Sequence, residues 1–212
     1  MSAGKFITLE GIEGAGKSTA AAFVVATLRA AGLPVLATRE PGGTALAERI
    51  RQIVLERGPE SVTPMTETLL MFAARALHVN NLIRPALARG EWVVCDRFTD
   101  ATRAYQGSAR GVDATLIEQL AQAVHPDLQP DCTLLLDLPV PVGLARARAR
   151  TDATDRFEAE TVAFFEKVRA GYLEIAGRAP SRVRIIDAAA PLAQVERQLA
   201  GVLTQLLPPR PA

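Results

Sequence analysis

Five short, almost uninterrupted apolar runs punctuate this chain, separated by longer helix-like stretches of mixed apolar and charged residues. The short runs predict strands over Lys5–Glu10, Pro34–Thr38, Trp92–Asp96, Cys132–Asp137 and Arg182–Asp187. The longer stretches predict helices over Ser18–Ala31, Thr44–Arg57, Pro64–Arg89, Asp113–Val124, Pro141–Arg150, Phe157–Ala176 and Pro191–Leu207. Gly32, Gly58, Gly90 and Gly177 read as helix ends or turns. Strands that are apolar along their whole length, alternating with helices, predict an α/β fold with a parallel five-stranded sheet covered on both faces. The polar stretch Thr151–Asp155, between two helical runs, reads as the hinge or tip of a lid, and Pro208–Ala212 as a frayed tail.

Composition narrows the class. The 212 residues fit one α/β domain spanning 1–212 with a small lid, and 49% apolar residues supply a sizeable core. A net charge of +1 favours neither bulk nucleic-acid binding nor an anionic membrane surface. Cys95 and Cys132 both lie in strand-like runs, which predicts buried free thiols in a reducing compartment. No secretory leader pattern and no membrane-length apolar run is visible, so the expectation is a cytoplasmic protein.

Candidate chemistry begins after the first strand. Gly11-Ile12-Glu13-Gly14-Ala15-Gly16-Lys17-Ser18, followed by Thr19, matches the phosphate-binding loop G-x-x-x-x-G-K-[ST]. Glycines let backbone N–H groups close on a phosphate chain, Lys17 brings a point charge, and the Ser18 hydroxyl can hold Mg²⁺. Strand, glycine loop and helix N-terminus in that order make an anion site, so the fold is read as P-loop NTPase-type. Ligands in such sheets bind beyond the C-terminal strand ends. That rule selects Glu13, the run Arg39-Glu40-Pro41-Gly42-Gly43, Asp96-Arg97-Phe98 and Asp187.

Trp92–Asp96 has the form of a strand that ends on a magnesium-holding acid; the alternative for Asp96 is to cap the following turn. Arg97 offers a bidentate fork to a phosphate, or else a surface ion pair. Arg146 and Arg150 share one helix face, with Arg148 between them and Arg156 beyond, in a lid segment of about 146–158. The phosphate loop holds no arginine, so a lid arginine could neutralise charge on a transferred group; a solvated helix face is the other reading. Phe72 and Arg75 can share a face suited to a flat base, or serve as core and surface. His78 has no partner at metal-site spacing and receives no role.

Taken together, Gly11 to Thr19, Thr38-Arg-Glu-Pro-Gly-Gly43, Asp96-Arg97-Phe98, Ala104-Tyr105-Gln106-Gly107 and the lid segment ending Asp155-Arg156-Phe157-Glu158 closely resemble the bacterial thymidylate kinase family, in order and spacing over nearly the whole chain. The resemblance implies transfer of the ATP γ-phosphate to dTMP, giving dTDP and ADP. It implies that residues 11–19 hold ATP, with Arg146 against the adenine, and that Ser18 and Asp96 serve Mg²⁺. On the acceptor side it implies Arg97 on the dTMP phosphate, Glu13 near the 3′-hydroxyl and Tyr105 crowding the 2′ position. Phe72 would stack on thymine, with Arg75, Thr102 and Gln106 at its edge, Arg51 nearby, and Glu40 and Pro41 lining the site. Lys17, Arg97, Arg150 and Arg156 would carry the chemistry, with Arg150 or Arg156 reaching the transferring phosphate. Two positions depart from the family pattern. The stacking aromatic is often four residues before the arginine, where this chain has Met71, and Ala101 stands where Ser is common. Family members tend to be homodimers packed through long helices, here including Pro64–Arg89. Rival readings are another nucleoside monophosphate kinase, a deoxynucleoside kinase, an inactive homologue, or a nucleotide-dependent switch; the last lacks an N-K-x-D guanine motif.

Overall fold

The computed structural model describes residues 4–56, 60–150, 156–157 and 160–207, with the side chain of Arg150 outside that description. Gly58, the hinge expected at 151–155, Glu158 and the tail 208–212 lie outside the described residues.

Five parallel strands form the sheet in the order β2-β3-β1-β4-β5. They are β1 (Phe6–Glu10), β2 (Val35–Arg39), β3 (Trp92–Asp96), β4 (Cys132–Asp137) and β5 (Val183–Asp187). The central strand β1 is buried at every position, whereas the edge strands β2 and β5 are partly exposed. Side chains of alternate parity leave the sheet on opposite faces. Phe6, Val93 and Cys95 pack with Val79, Ile83 and Ala86, while Ile7, Leu9 and Val94 join the larger cluster of Val24, Leu28, Leu199 and Leu203. Register aligns Leu9 and Arg39 with Asp96, and Asp137 with Asp187, so the charged strand ends share one edge.

Nine α-helical segments accompany the strands among the described residues. Helix α1 (Lys17–Ala30) follows β1, and α2 (Ala45–Leu55) is capped by Thr44, whose hydroxyl accepts from the Ala47 amide. The expected 64–89 helix is helical throughout but not uniform. It comprises α3 (Pro64–His78), a π-helical turn (Val79–Ile83) and α4 (Arg84–Ala88). Pro85 has no N–H for the residue four back and its ring crowds that carbonyl; a widened turn relieves both. Helices α6 (Ala114–Val124), α7 (Val140–Arg150) and α9 (Leu192–Leu206) fall close to their expected places.

Two differences concern the region beside the site. Residues 99–109 are helical, as α5 (Thr99–Thr102) and a π-helical turn (Arg103–Ala109), where no helix is predicted. Thr, Asp and Gly give that segment weak helix propensity, and tertiary packing supplies the stability instead. Helix α8 (Val162–Arg178) starts at the Thr161 cap rather than at residue 157, because the Thr161 hydroxyl satisfies the Phe164 amide. It ends at Arg178, one residue past Gly177, so Gly177 lies in its last turn as expected. Gly171 of α8 lets the two segments approach. A Cβ there would sit 2.4 Å from Ser108 Oγ and 3.3 Å from the Ala104 Cα.

This contrast predicts opposite effects for two glycines on one helix. Gly177→Ala, where a Cβ meets nothing within 4 Å, is expected to stabilise by about 0.5–1 kcal/mol through lost backbone entropy of the unfolded chain. Gly171→Val is expected to destabilise by about 1–3 kcal/mol through overpacking against residues 104 and 108. Thermal unfolding of the two variants checks both; shifts of the same sign would contradict the packing.

Candidate active site

The loop after β1 is shaped by left-handed backbone. Gly11, Gly14 and Gly16 have φ of 138°, 71° and 86°. At Gly14 a Cβ would fall 1.9 Å from the Gly143 carbonyl oxygen, so only glycine fits. Helix α1 starts at Lys17 with no side-chain cap, which leaves its first amides available to an anion. Lys17 folds back and donates to the carbonyls of Gly11 (3.1 Å) and Ile12 (3.0 Å). Burial, aided by Arg97, holds its ammonium below the usual lysine range despite Glu13 and Asp96 nearby. A cleft beside the loop is lined by Ala15, Gly16, Thr19 and Arg146, over an apolar floor that includes Phe23, Leu136 and Leu199. Arg146 Nη1 donates to the Ala188 carbonyl at 2.8 Å.

A second cavity opens on the other side of Glu13. Nine of the ten residues expected at the acceptor line it: Glu13, Glu40, Pro41, Arg51, Arg75, Arg97, Thr102, Tyr105 and Gln106. Arg97 is its anchor. Nη2 donates to Glu13 Oε2 (2.8 Å) and the Tyr105 hydroxyl (3.0 Å), and Nη1 to the Gly11 carbonyl (3.0 Å) and the Tyr172 hydroxyl (3.1 Å). Burial opposes the charge on Glu13, but Arg97 and Lys17 outweigh it and hold the carboxyl below its usual range. Arg97 has φ of 71°, an uncommon conformation for a residue with a side chain and one that clusters at functional sites.

The far wall is a buried polar chain. Thr38 Oγ1 bonds His78 Nε2 (2.7 Å), His78 Nδ1 bonds Glu40 Oε1 (2.9 Å), and Arg75 Nε donates to Glu40 Oε2 (2.8 Å). Arg75 Nη2 donates to Thr102 Oγ1 and the Phe98 carbonyl, while Nη1 is buried without a hydrogen-bond partner. Arg75 combines a buried donor without an acceptor with a place in the cavity lining. His78 thus belongs to the site. Its partners lie about 40 residues away in sequence, so spacing could not reveal it.

Phe72 is placed differently from the expectation. It is absent from the lining, is 3% exposed, and packs with Ile117 and Ala121. Met71, Leu55, Phe98, Ala101 and Phe157 complete the lining instead. On a helix, a residue four before Arg75 lies about 40° from it and one three before about 60° to the opposite side, so Met71 faces the cavity. Phe72 supports Arg75 from behind, its ring centroid 4.8 Å from the guanidinium carbon.

The arginines expected in a lid separate. Arg146 lines the cleft beside the phosphate loop. Arg156 is held by the Val54 carbonyl (3.0 Å) and by Glu67 Oε2 (2.5 Å), a buried carboxylate, and not by the phosphate loop. The reason is electrostatic, since Glu67 is fully buried and needs cationic partners. The Arg150 side chain lies outside the described residues. For a cation, Asp96 Oδ1 is sealed from solvent and accepts no hydrogen bond from a described residue, while Ser18 is exposed at the start of α1. An orphaned carboxylate oxygen fits a hard cation. Among the described residues no group of three acids, Cys or His converges, so phosphate and water oxygens would have to supply the other ligands.

The family model for thymidylate kinase matches residues 9–199. Thymidylate kinase of Pseudomonas savastanoi pv. phaseolicola is 57% identical over 96% of this chain and 97% of its own length. That of Bordetella pertussis is 55% identical over 96% of both chains. The crystal structure of thymidylate kinase from Ehrlichia chaffeensis superimposes with a TM-score of 0.76 at 32% identity, covering 95% of this chain and 99% of that one.

Behind Arg97 lies Glu10, whose Oε1 accepts from the Phe98 amide and Oε2 from the Tyr172 hydroxyl. Burial, with Asp100 nearby, pushes its carboxyl up to about 8 from the usual 4.5. The unfolded chain ionises this group first, so folding stability is expected to decline as pH rises from about 4.5 towards 8. Glu10→Gln removes that component. Tm measured across this range is expected to be flatter for the variant; parallel Tm profiles would disprove the role of Glu10.

Proposed function

Because the chain belongs to the thymidylate kinase family, we propose here the residue roles by which it moves the γ-phosphate of ATP onto dTMP. The protein is a nucleoside monophosphate kinase, and its product pair is dTDP and ADP. The observation that carries the assignment of sides is the Arg97 guanidinium, bonded at once to Glu13 and to Gly11 of the phosphate loop. It stands between the donor cleft and the acceptor cavity.

An oxygen of the dTMP phosphate attacks the γ-phosphorus of ATP, and the bond to the β–γ bridging oxygen breaks as ADP leaves. The attacking group is already largely dianionic at neutral pH, so no general base is assigned. Two anions must instead be brought in line and their charge neutralised. The amides of residues 11–19 and Lys17 hold the ATP phosphates, and Arg146 flanks the adenine. Arg97 grips the dTMP phosphate. Glu13 meets the 3′-hydroxyl, and Tyr105, which donates to Glu13, crowds the 2′ position. Met71 takes the place at the base that Phe72 was expected to fill, with Arg75, Thr102 and Gln106 at its edge and Arg51, Glu40 and Pro41 completing the wall. Asp96 and Ser18 would hold Mg²⁺, which would supply charge neutralisation at the phosphates. We read residues 146–158 as the lid. Arg150 or Arg156 reaches the transferring phosphate, and for Arg156 this requires release from Glu67.

We assign homodimerisation to α2 and α3. Leu46 and Ile53 on α2, and Met65 and Leu69 on α3, are 45–55% exposed on two helices that pack together. Exposed large apolar side chains on adjoining helices are the kind of surface a second copy would cover. A cytoplasmic location accords with the buried free thiols of Cys95 and Cys132, and no helix among the described residues is long and apolar enough to cross a membrane.

Arg97→Ala is expected to abolish most dTMP affinity and lower turnover by at least about 10³-fold, while ATP still binds. Calorimetry and ADP-release assays with each nucleoside monophosphate and thymidine check this; near-normal dTMP kinetics would remove Arg97 from the role. The double variant Ile53→Glu, Leu69→Glu is expected to sediment as a monomer at concentrations where the native chain is dimeric, and identical sedimentation would refute the interface.

A further inference from the structure

Glu67 is a fully buried carboxylate outside the cavity lining, yet three cationic or amide groups converge on it. Gln106 Nε2 donates to Oε1 at 2.6 Å, Arg110 Nε donates to the same oxygen at 2.8 Å, and Arg156 Nη2 reaches Oε2 at 2.5 Å. Arg110 Nε and Arg156 Nη2 are donor-only groups, one facing each oxygen, so both Glu67 oxygens stand as acceptors. That settles a question about Gln106. A side-chain amide can face either way, but only its nitrogen can point at a carboxylate. The oxygen must therefore point away from Glu67. Gln106 lines the acceptor cavity, and its Oε1 is neither hydrogen-bonded to a described residue nor sealed from the cavity.

We propose that Glu67 is a positioning residue that sets base selectivity, by locking the Gln106 carboxamide with its acceptor oxygen toward the acceptor cavity. The proposal rests on the dTMP reading above and extends it. The locked oxygen supplies one acceptor, and the Arg75 side chain, which also lines the cavity and can only donate, supplies the donor. That pair is complementary to a pyrimidine edge with a ring N–H beside a carbonyl, as in thymine and uracil. Cytosine presents a ring lone pair beside an amino group, so both contacts become repulsive. With Gln in place of Glu67, the Gln106 amide can turn over and present its nitrogen to the cavity, which removes half of the discrimination. Thymine and uracil share the edge in question, so the lock has no bearing on the choice between them.

The test measures dissociation constants of dTMP, dUMP and dCMP by calorimetry for the native protein, Glu67→Gln, Gln106→Ala and the double variant. Glu67→Gln is expected to reduce the dTMP preference over dCMP by at least about tenfold, and to leave the dTMP preference over dUMP and the affinity for ATP within about twofold. In the Gln106→Ala background the same substitution is expected to change the dCMP discrimination no further. An unchanged dCMP discrimination, or an equal fall with Gln106 already absent, overturns the proposal. Should Glu67→Gln not yield folded, ATP-binding protein, Glu67→Asp is read in the same way, because it keeps the charge and draws the carboxylate back from Gln106. Native protein that binds dAMP as well as dTMP overturns the acceptor reading itself, and the Glu67 proposal with it.

Discussion

The guanidinium of Arg97 lies 2.8 Å from the Glu13 carboxylate and also bonds Gly11, Tyr105 and Tyr172. Those partners come from the loop after β1, the helical segment 99–109 and α8. One cation thus ties three elements together at the C-terminal edge of the sheet. Its side chain is 16% exposed and that of Glu13 15%, so the pair is weakly screened and its geometry matters. Removing either partner would leave a charge stranded in a partly desolvated setting, a far larger penalty than the pair's net contribution to stability. The left-handed backbone at Arg97 is tolerated for the same reason. Its amide donates to the Leu9 carbonyl, and its own carbonyl accepts from Cys95 Sγ, so the surroundings over-determine the conformation.

The acceptor wall depends on the same logic applied to a longer chain of groups. Thr38, His78, Glu40 and Arg75 satisfy one another through buried contacts of 2.7–2.9 Å. Each member has its rotamer set by the next, so the donors and acceptors of this wall are already aimed. Preorganisation of this sort is how a polar pocket discriminates between ligands by the pattern of their donors and acceptors. The glycine at position 43 is part of the arrangement. With φ of 86° and space for no Cβ beside His78, it lets the loop after β2 pass directly over the imidazole.

Much of this was readable along the chain because it is local. The strand, glycine loop and helix of the donor site occupy one contiguous stretch, and backbone geometry there is imposed by glycines that no other residue can replace. The parallel sheet was likewise legible, since strands buried on both faces must be apolar throughout. What escaped was non-local. Segment 99–109 has poor helix propensity and is held by α8, packed against it through Gly171. His78, Glu10 and Glu67 have partners tens of residues away, and nothing in their own neighbourhoods marks them.

The sequence by itself determined the fold class, the phosphate-binding loop and the set of polar residues gathered at the strand ends, because periodicity, glycine conformation and strand polarity act over a few residues. It also assembled the family motifs in their order. Tertiary structure alone decided which of these residues face the cavity. Met71 rather than Phe72 turns inward because the phase of α3 is set by its packing on Ile117 and Ala121. Arg156 sits on Glu67 because a buried carboxylate draws cations from distant segments. Such choices follow from desolvation and three-dimensional neighbours, which spacing along a chain does not encode.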